Sequence, residues 1–184
     1  GEGKEYNDSQ LIMEGRYEMG KRVYGTYYFE GGVTYTGDFQ NGVQHGKGVM
    51  KWPSGETMYE GDWQNGMKSG YGKFYYPDGN VYEGQFADND LNGQGKFSLV
   101  AGDWAEGTFM NGVLNGPGKY YDTTGKLRYE GEFENGYYKK GTSWYPDGSR
   151  YEGEFRAYER WGEGTLYYPD GWVYKGKFAY DTIN

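Results

Sequence analysis

One triplet, Tyr-Glu-Gly or a close variant, recurs along the whole chain and limits what it can fold into. It stands at Met13-Glu14-Gly15, Tyr35-Thr36-Gly37, Tyr59-Glu60-Gly61, Tyr82-Glu83-Gly84, Ala105-Glu106-Gly107, Tyr129-Glu130-Gly131, Tyr151-Glu152-Gly153 and Tyr174-Lys175-Gly176. The glycines lie 22, 24, 23, 23, 24, 22 and 23 residues apart. A unit that short cannot bury a core alone, so units must stack on their neighbours. The 184 residues divide into full units at about 13–34, 35–58, 59–81, 82–104, 105–128, 129–150 and 151–173, with partial units at 1–12 and 174–184. This reads as one array. Opening in mid-pattern, it is expected to be a fragment of a longer protein.

The third unit shows the anatomy. Tyr59-Glu60-Gly61-Asp62-Trp63 alternates, so Tyr59, Gly61 and Trp63 share one face of a strand. Asn65-Gly66 follows, a hairpin signal because both residues tolerate positive φ. Lys73-Phe74-Tyr75-Tyr76 is a second β-prone run, closed by Pro77-Asp78-Gly79. Two strands and two turns per unit predict an all-β, single-layer, twisted antiparallel meander of consecutive hairpins, elongated into a rod.

Composition narrows the chemistry. Leu, Ile, Val, Ala and Met supply only 27 residues, against 23 Tyr, 9 Phe and 6 Trp, so any core is built from rings. There is no Cys and one His, His45, which leaves no thiol nucleophile and no His-cluster metal site; no metal and no cofactor are expected. His45 itself reads as a hydrogen-bonded turn residue. The net charge of −8 opposes binding to nucleic acid or anionic lipid. The carboxylates recur in every unit, which argues against a unique acid–base pair, and no enzyme activity is expected.

One face of the meander carries a ring pair per unit: Tyr35/Phe39, Tyr59/Trp63, Tyr82/Phe86, Tyr129/Phe133 and Tyr151/Phe155, with Phe109 alone in the fifth unit, where Ala105 takes the tyrosine place, and Tyr174 opening the last. Gly between the rings leaves room for a ring against the backbone. These rings are expected to be the core and, left partly open by a single layer, a groove for a partner peptide or helix. The other face carries Glu60, Glu83, Glu106 and Glu130 from first strands and Lys73, Lys96 and Lys119 from second strands, expected to neutralise one another. The C-terminal end has lost the Asn-Gly turn and is rich in rings; Tyr158, Trp161, Trp172 and Phe178 are the candidates for self-association into a homodimer.

The run Tyr35-x-Gly37-x-Phe39-x-Asn41-Gly42-x-x-His45-Gly46-x-Gly48, closed by Pro53-x-Gly55, resembles the MORN (membrane occupation and recognition nexus) repeat, and the iteration carries that resemblance over essentially the whole chain. The His of the pattern is kept only in the second unit; Ser69, Asn92, Asn115 and Lys140 stand in others. The resemblance implies a twisted single-sheet scaffold or adaptor that binds protein along its aromatic groove. It also implies a cytoplasmic setting linked to the cytoskeleton, a membrane skeleton or a cilium. Two alternatives come with it: a phosphoinositide- or membrane-binding module, which the charge opposes, and a targeting segment of a larger lipid kinase or methyltransferase. A choline- or carbohydrate-binding hairpin repeat is a minor alternative resting on the Tyr and Trp content.

Overall fold

The computed structural model describes residues 1–183 and contains no helix among them. The chain forms two compact units, Gly1–Asp90 and Leu91–Asn184. The first holds β1 (Glu2–Asn7), β2 (Gln10–Glu18), β3 (Lys21–Tyr28), β4 (Thr34–Gln40), β5 (Val43–Lys51), β6 (Thr57–Gln64), β7 (Met67–Tyr75) and β8 (Val81–Ala87). Each pairs antiparallel with the next, as the alternating pattern requires. In the second, β9 (Asp90–Ser98), β10 (Trp104–Met110), β11 (Val113–Tyr121), β12 (Leu127–Glu134), β13 (Tyr137–Trp144), β14 (Arg150–Arg156), β15 (Glu159–Tyr167), β16 (Val173–Ala179) and β17 (Thr182–Ile183) do the same. Both units are antiparallel meanders of consecutive hairpins.

The register aligns one glycine per strand. Gly3, Gly15, Gly25, Gly37, Gly48, Gly61, Gly72 and Gly84 face each other in succession across the first unit. In the second, Gly95, Gly107, Gly118, Gly131, Gly141, Gly153, Gly164 and Gly176 form the same row. The repeat tyrosines lie over this row, Met13 and Ala105 holding their place in the first and fifth repeats. A Cβ on Gly48 would stand 2.5 Å from Cζ of Tyr35, and one on Gly72 2.5 Å from Cζ of Tyr59. The ring therefore occupies the space that a side chain would need. Its hydroxyl then donates to the carbonyl three residues on: Tyr35 to Asp38 (2.7 Å), Tyr59 to Asp62 (2.8 Å), Tyr82 to Gln85 (2.9 Å), Tyr129 to Glu132 (2.7 Å) and Tyr151 to Glu154 (3.0 Å).

The two turn types are those the sequence asks for. Asn41, Asn65, Asn111 and Asn135 adopt φ of 49–52° ahead of glycines at 82–85°, the two-residue type I′ geometry that matches strand twist. The opposite loops are three residues long, as at Pro53–Gly55, where Gly55 N–H donates to Trp52 O at 2.9 Å and Trp52 N–H to Glu56 O at 2.9 Å. The loss of Asn-Gly near the C-terminus does not open the hairpin: Ala157 (φ 49°) and Tyr158 (φ 72°) make the same left-handed turn without glycine. His45 corrects its sequence reading. It lies within β5, not in a turn, and its Nδ1 is buried with no hydrogen-bond partner.

Candidate interaction face

The rings of each repeat form an edge-to-face series. In the first unit it runs from Phe39 to Tyr35 (5.2 Å), Trp63 (5.1 Å), Tyr59 (5.2 Å), Phe86 (5.1 Å) and Tyr82 (5.2 Å). In the second it runs from Phe133 to Tyr129 (5.1 Å), Phe155 (5.4 Å), Tyr151 (5.1 Å), Phe178 (4.9 Å) and Tyr174 (5.3 Å). Each such pair contributes about 0.5–1.5 kcal/mol beyond its buried area. Trp63 adds a hydrogen bond from Nε1 to Gly48 O at 3.2 Å.

This depth changes the role of the residues singled out for docking. Tyr35, Tyr59, Tyr82, Tyr129 and Tyr151 have no exposed surface, and Phe39, Trp63, Phe86, Phe109, Phe133 and Phe155 are buried; only Tyr174 is half-exposed. They form the core of this face in the isolated chain. The glycine row is the cause, since it lets each ring sink to the backbone. At the C-terminal end Phe178 is likewise buried and Trp161 half-buried, which leaves Trp172 (75 % exposed) and Tyr158 (52 %) outward. Burial raises the phenol pKa of Tyr82, Tyr129 and Tyr151 to about 12, and those of Tyr35 and Tyr59 further.

What covers the core is a row the sequence pattern did not single out. The residue two places after each tight turn varies in chemistry (Arg22, Gln44, Lys68, Leu91, Leu114, Tyr138 and Arg160), and all but Leu91 stand across the register from an aromatic residue of the preceding strand. Tyr138 stacks flat on Tyr129, with centroids 3.7 Å apart and planes at 4°. Lys68 Nζ stands 5.8 Å from the Tyr59 ring and 5.5 Å from Phe74, and burial pushes its ammonium pKa down. The Arg160 guanidinium lies 5.6 Å from both Tyr145 and Phe178. The only signal for these positions was their variability inside an otherwise constant repeat.

Beside this cover sits a second line of rings. Phe74 lies across the register from Tyr59 and Tyr82, 4.7 Å from Tyr76 and 6.4 Å from Trp52. Phe74, Tyr76 and Trp52 are all half-buried. The opposite face is charged as expected. Lys73 stands across from Glu60 and Glu83, reaching Glu83 at 3.9 Å, and Lys119 across from Glu106 and Glu130, reaching Glu130 at 3.3 Å. Such exposed pairs are worth little individually. Among the described residues no His, Cys, Asp and Glu cluster could hold a metal, and no helix is long and apolar enough to cross a membrane.

The MORN repeat profile matches residues 35–57, 59–81, 82–104, 106–126 and 151–173, more than half of the chain. The chain belongs to the MORN repeat family. MORN repeats are generally protein- or membrane-interaction repeats and generally non-catalytic. No curated protein matches this MORN chain. Among solved structures it is similar to a selenomethionine-substituted virginiamycin B lyase from Staphylococcus aureus, at 14% identity and TM-score 0.22, covering 85% of the MORN chain and 56% of the lyase. A streptogramin B lyase aligns at 15% identity and TM-score 0.21, over 83% and 53%. A catalytically inactive virginiamycin B lyase from the same bacterium with quinupristin aligns at 13% and 0.21, over 96% and 69%. The chain thus spans little more than half the length of the first two, and likeness this weak carries no argument about function.

Proposed function

We propose that this chain is a non-catalytic protein-interaction scaffold that binds a partner peptide or helix along the face roofed by the variable row. One observation carries the reading. The aromatic core is a single ring deep, and directly over it the repeat presents half-buried rings and cover residues that change from unit to unit. A constant frame with a variable lining is what selective recognition needs. The net charge of −8 favours a partner with basic residues flanking its apolar ones and disfavours an anionic membrane.

The test uses surface rings rather than core rings, because Trp63→Ser or Phe86→Ser would cut into the core. Peptides selected from a random display library on the wild-type chain are titrated against a Phe74→Ser/Tyr76→Ser variant. Loss of at least tenfold in affinity for a class of these peptides, with unchanged circular dichroism, is the expected outcome. Unchanged affinity for every selected peptide, or binding that transfers to acidic-lipid vesicles and falls away with salt, overturns the reading.

A further inference from the structure

The fifth repeat breaks the ring series. In seven of the eight repeats the place over the glycine row is held by a large side chain, Met13 and Tyr35 among them, both with no exposed surface. Ala105 holds it in the fifth. Neighbours lean toward the gap. Leu114 Cδ2 lies 3.2 Å from where a Cβ on Gly107 would be, and the Phe133 ring 3.0 Å from one on Gly118. At the matching glycines of the third repeat, Gly61 and Gly72, the Tyr59 hydroxyl and ring stand at 2.7 Å and 2.5 Å. Beside the gap the second unit carries a cleft of about 420 Å³ that reaches Ala105 and is lined also by Leu114, Phe97, Tyr120, Phe133 and Tyr138. An apolar cavity of about 150 Å³ lined by such side chains is enough to bind benzene.

We propose that this cleft receives one aromatic side chain, tyrosine or phenylalanine, from a partner peptide with basic flanks. The proposal rests on the protein-interaction reading above and deepens it. The repeat itself suggests the occupant: everywhere else but the first unit, a tyrosine stands at the position Ala105 holds, edge-on to its neighbours. The carbonyl that takes its hydroxyl in those repeats is, in the fifth, that of Thr108. Asp103, which accepts the Tyr120 hydroxyl hydrogen bond at 2.8 Å beside the cleft, and the net charge of −8 favour lysine or arginine next to the inserted ring.

Nuclear magnetic resonance titration of the full chain tests this with three probes: p-cresol, N-acetyl-lysyl-tyrosyl-lysinamide and its alanine counterpart. The expected result is that p-cresol and the tyrosine peptide shift the amides of Thr108, Leu114 and Gly118, with the peptide's affinity falling as salt rises, while the alanine peptide does not. Ala105→Tyr supplies the ring from within and abolishes those shifts, with an unfolding midpoint at or above that of the wild type. Ala105→Met, which copies the first repeat, weakens binding at least tenfold and decides the matter if the tyrosine variant does not fold. Absence of shifts in the wild type, their persistence in the filled variants, or equal shifts with the alanine peptide overturns the proposal. The Phe74→Ser/Tyr76→Ser variant keeps this binding, so failure here is distinguishable from failure of the broader reading.

Discussion

Tyr35 fills the space of an absent side chain, meets Phe39 and Trp63 edge-on and satisfies the Asp38 carbonyl. All three depend on Gly48 having no Cβ. Gly48→Ala is therefore expected to lower stability by about 1–3 kcal/mol, the range for overpacking, read as a lower urea midpoint. A change of less than a few tenths would mean that the ring does not rest on the glycine row. The Tyr-x-Gly-x-Phe or Trp spacing already told which side chains share a face. It could not tell how deep they sit, because alternation fixes the side of a sheet and not the height of the residues beside it. Depth comes from the glycine row together with Leu114, Tyr138 and the other cover residues, whose identities follow no pattern. Ala105 was legible as a departure, but the cleft beside it depends on how far Phe133 and Leu114 relax, which only packing decides.

At the level of the hairpin, turn chemistry was the most legible feature, since Asn-Gly has few alternatives to the left-handed pair that the structure contains. The turn at Ala157 and Tyr158 shows why absence of the motif misleads: the flanking register and the Tyr158 hydroxyl, which donates to Gly136 O at 2.9 Å, hold a conformation the two residues do not favour. A β-carbon in that region costs on the order of 1–2 kcal/mol. Ala157→Asn is expected to raise stability by about 0.5–1 kcal/mol, measured by chemical denaturation. A neutral or lower value would place the strain elsewhere. The charged face was equally readable, because Lys73 and Lys119 needed only strand parity to land opposite their glutamates. His45 was not, since the bulge that draws it into β5 depends on register shifts between Gly37 and Phe39.

Across the molecule, strands within each unit pair with their neighbours in sequence, so cohesion is carried by short-range contacts repeated many times. The same phenol burial therefore recurs along the chain and makes it sensitive to alkali. For Tyr82, Tyr129 and Tyr151 the folded pKa near 12 lies above an unfolded value of about 10. Their contribution is fully present below pH 10 and is lost as pH rises toward 12, at a limiting slope of about 1.4 kcal/mol per pH unit for each. The last part of the tyrosinate absorbance, from the buried phenols, and circular dichroism are expected to change together in that window, after the exposed tyrosines have ionised. Complete ionisation of all 23 tyrosines with the sheet intact would show that the buried rings are open to water.

Trp63 stands in ring contact with both Tyr35 and Tyr59, at 5.1 and 5.2 Å. At that range an excited phenol passes its energy to the indole before it can emit. The first unit thus carries its own optical gauge: light absorbed by these two tyrosines leaves as Trp63 fluorescence while the rings are in contact, and returns to tyrosine colour once they part.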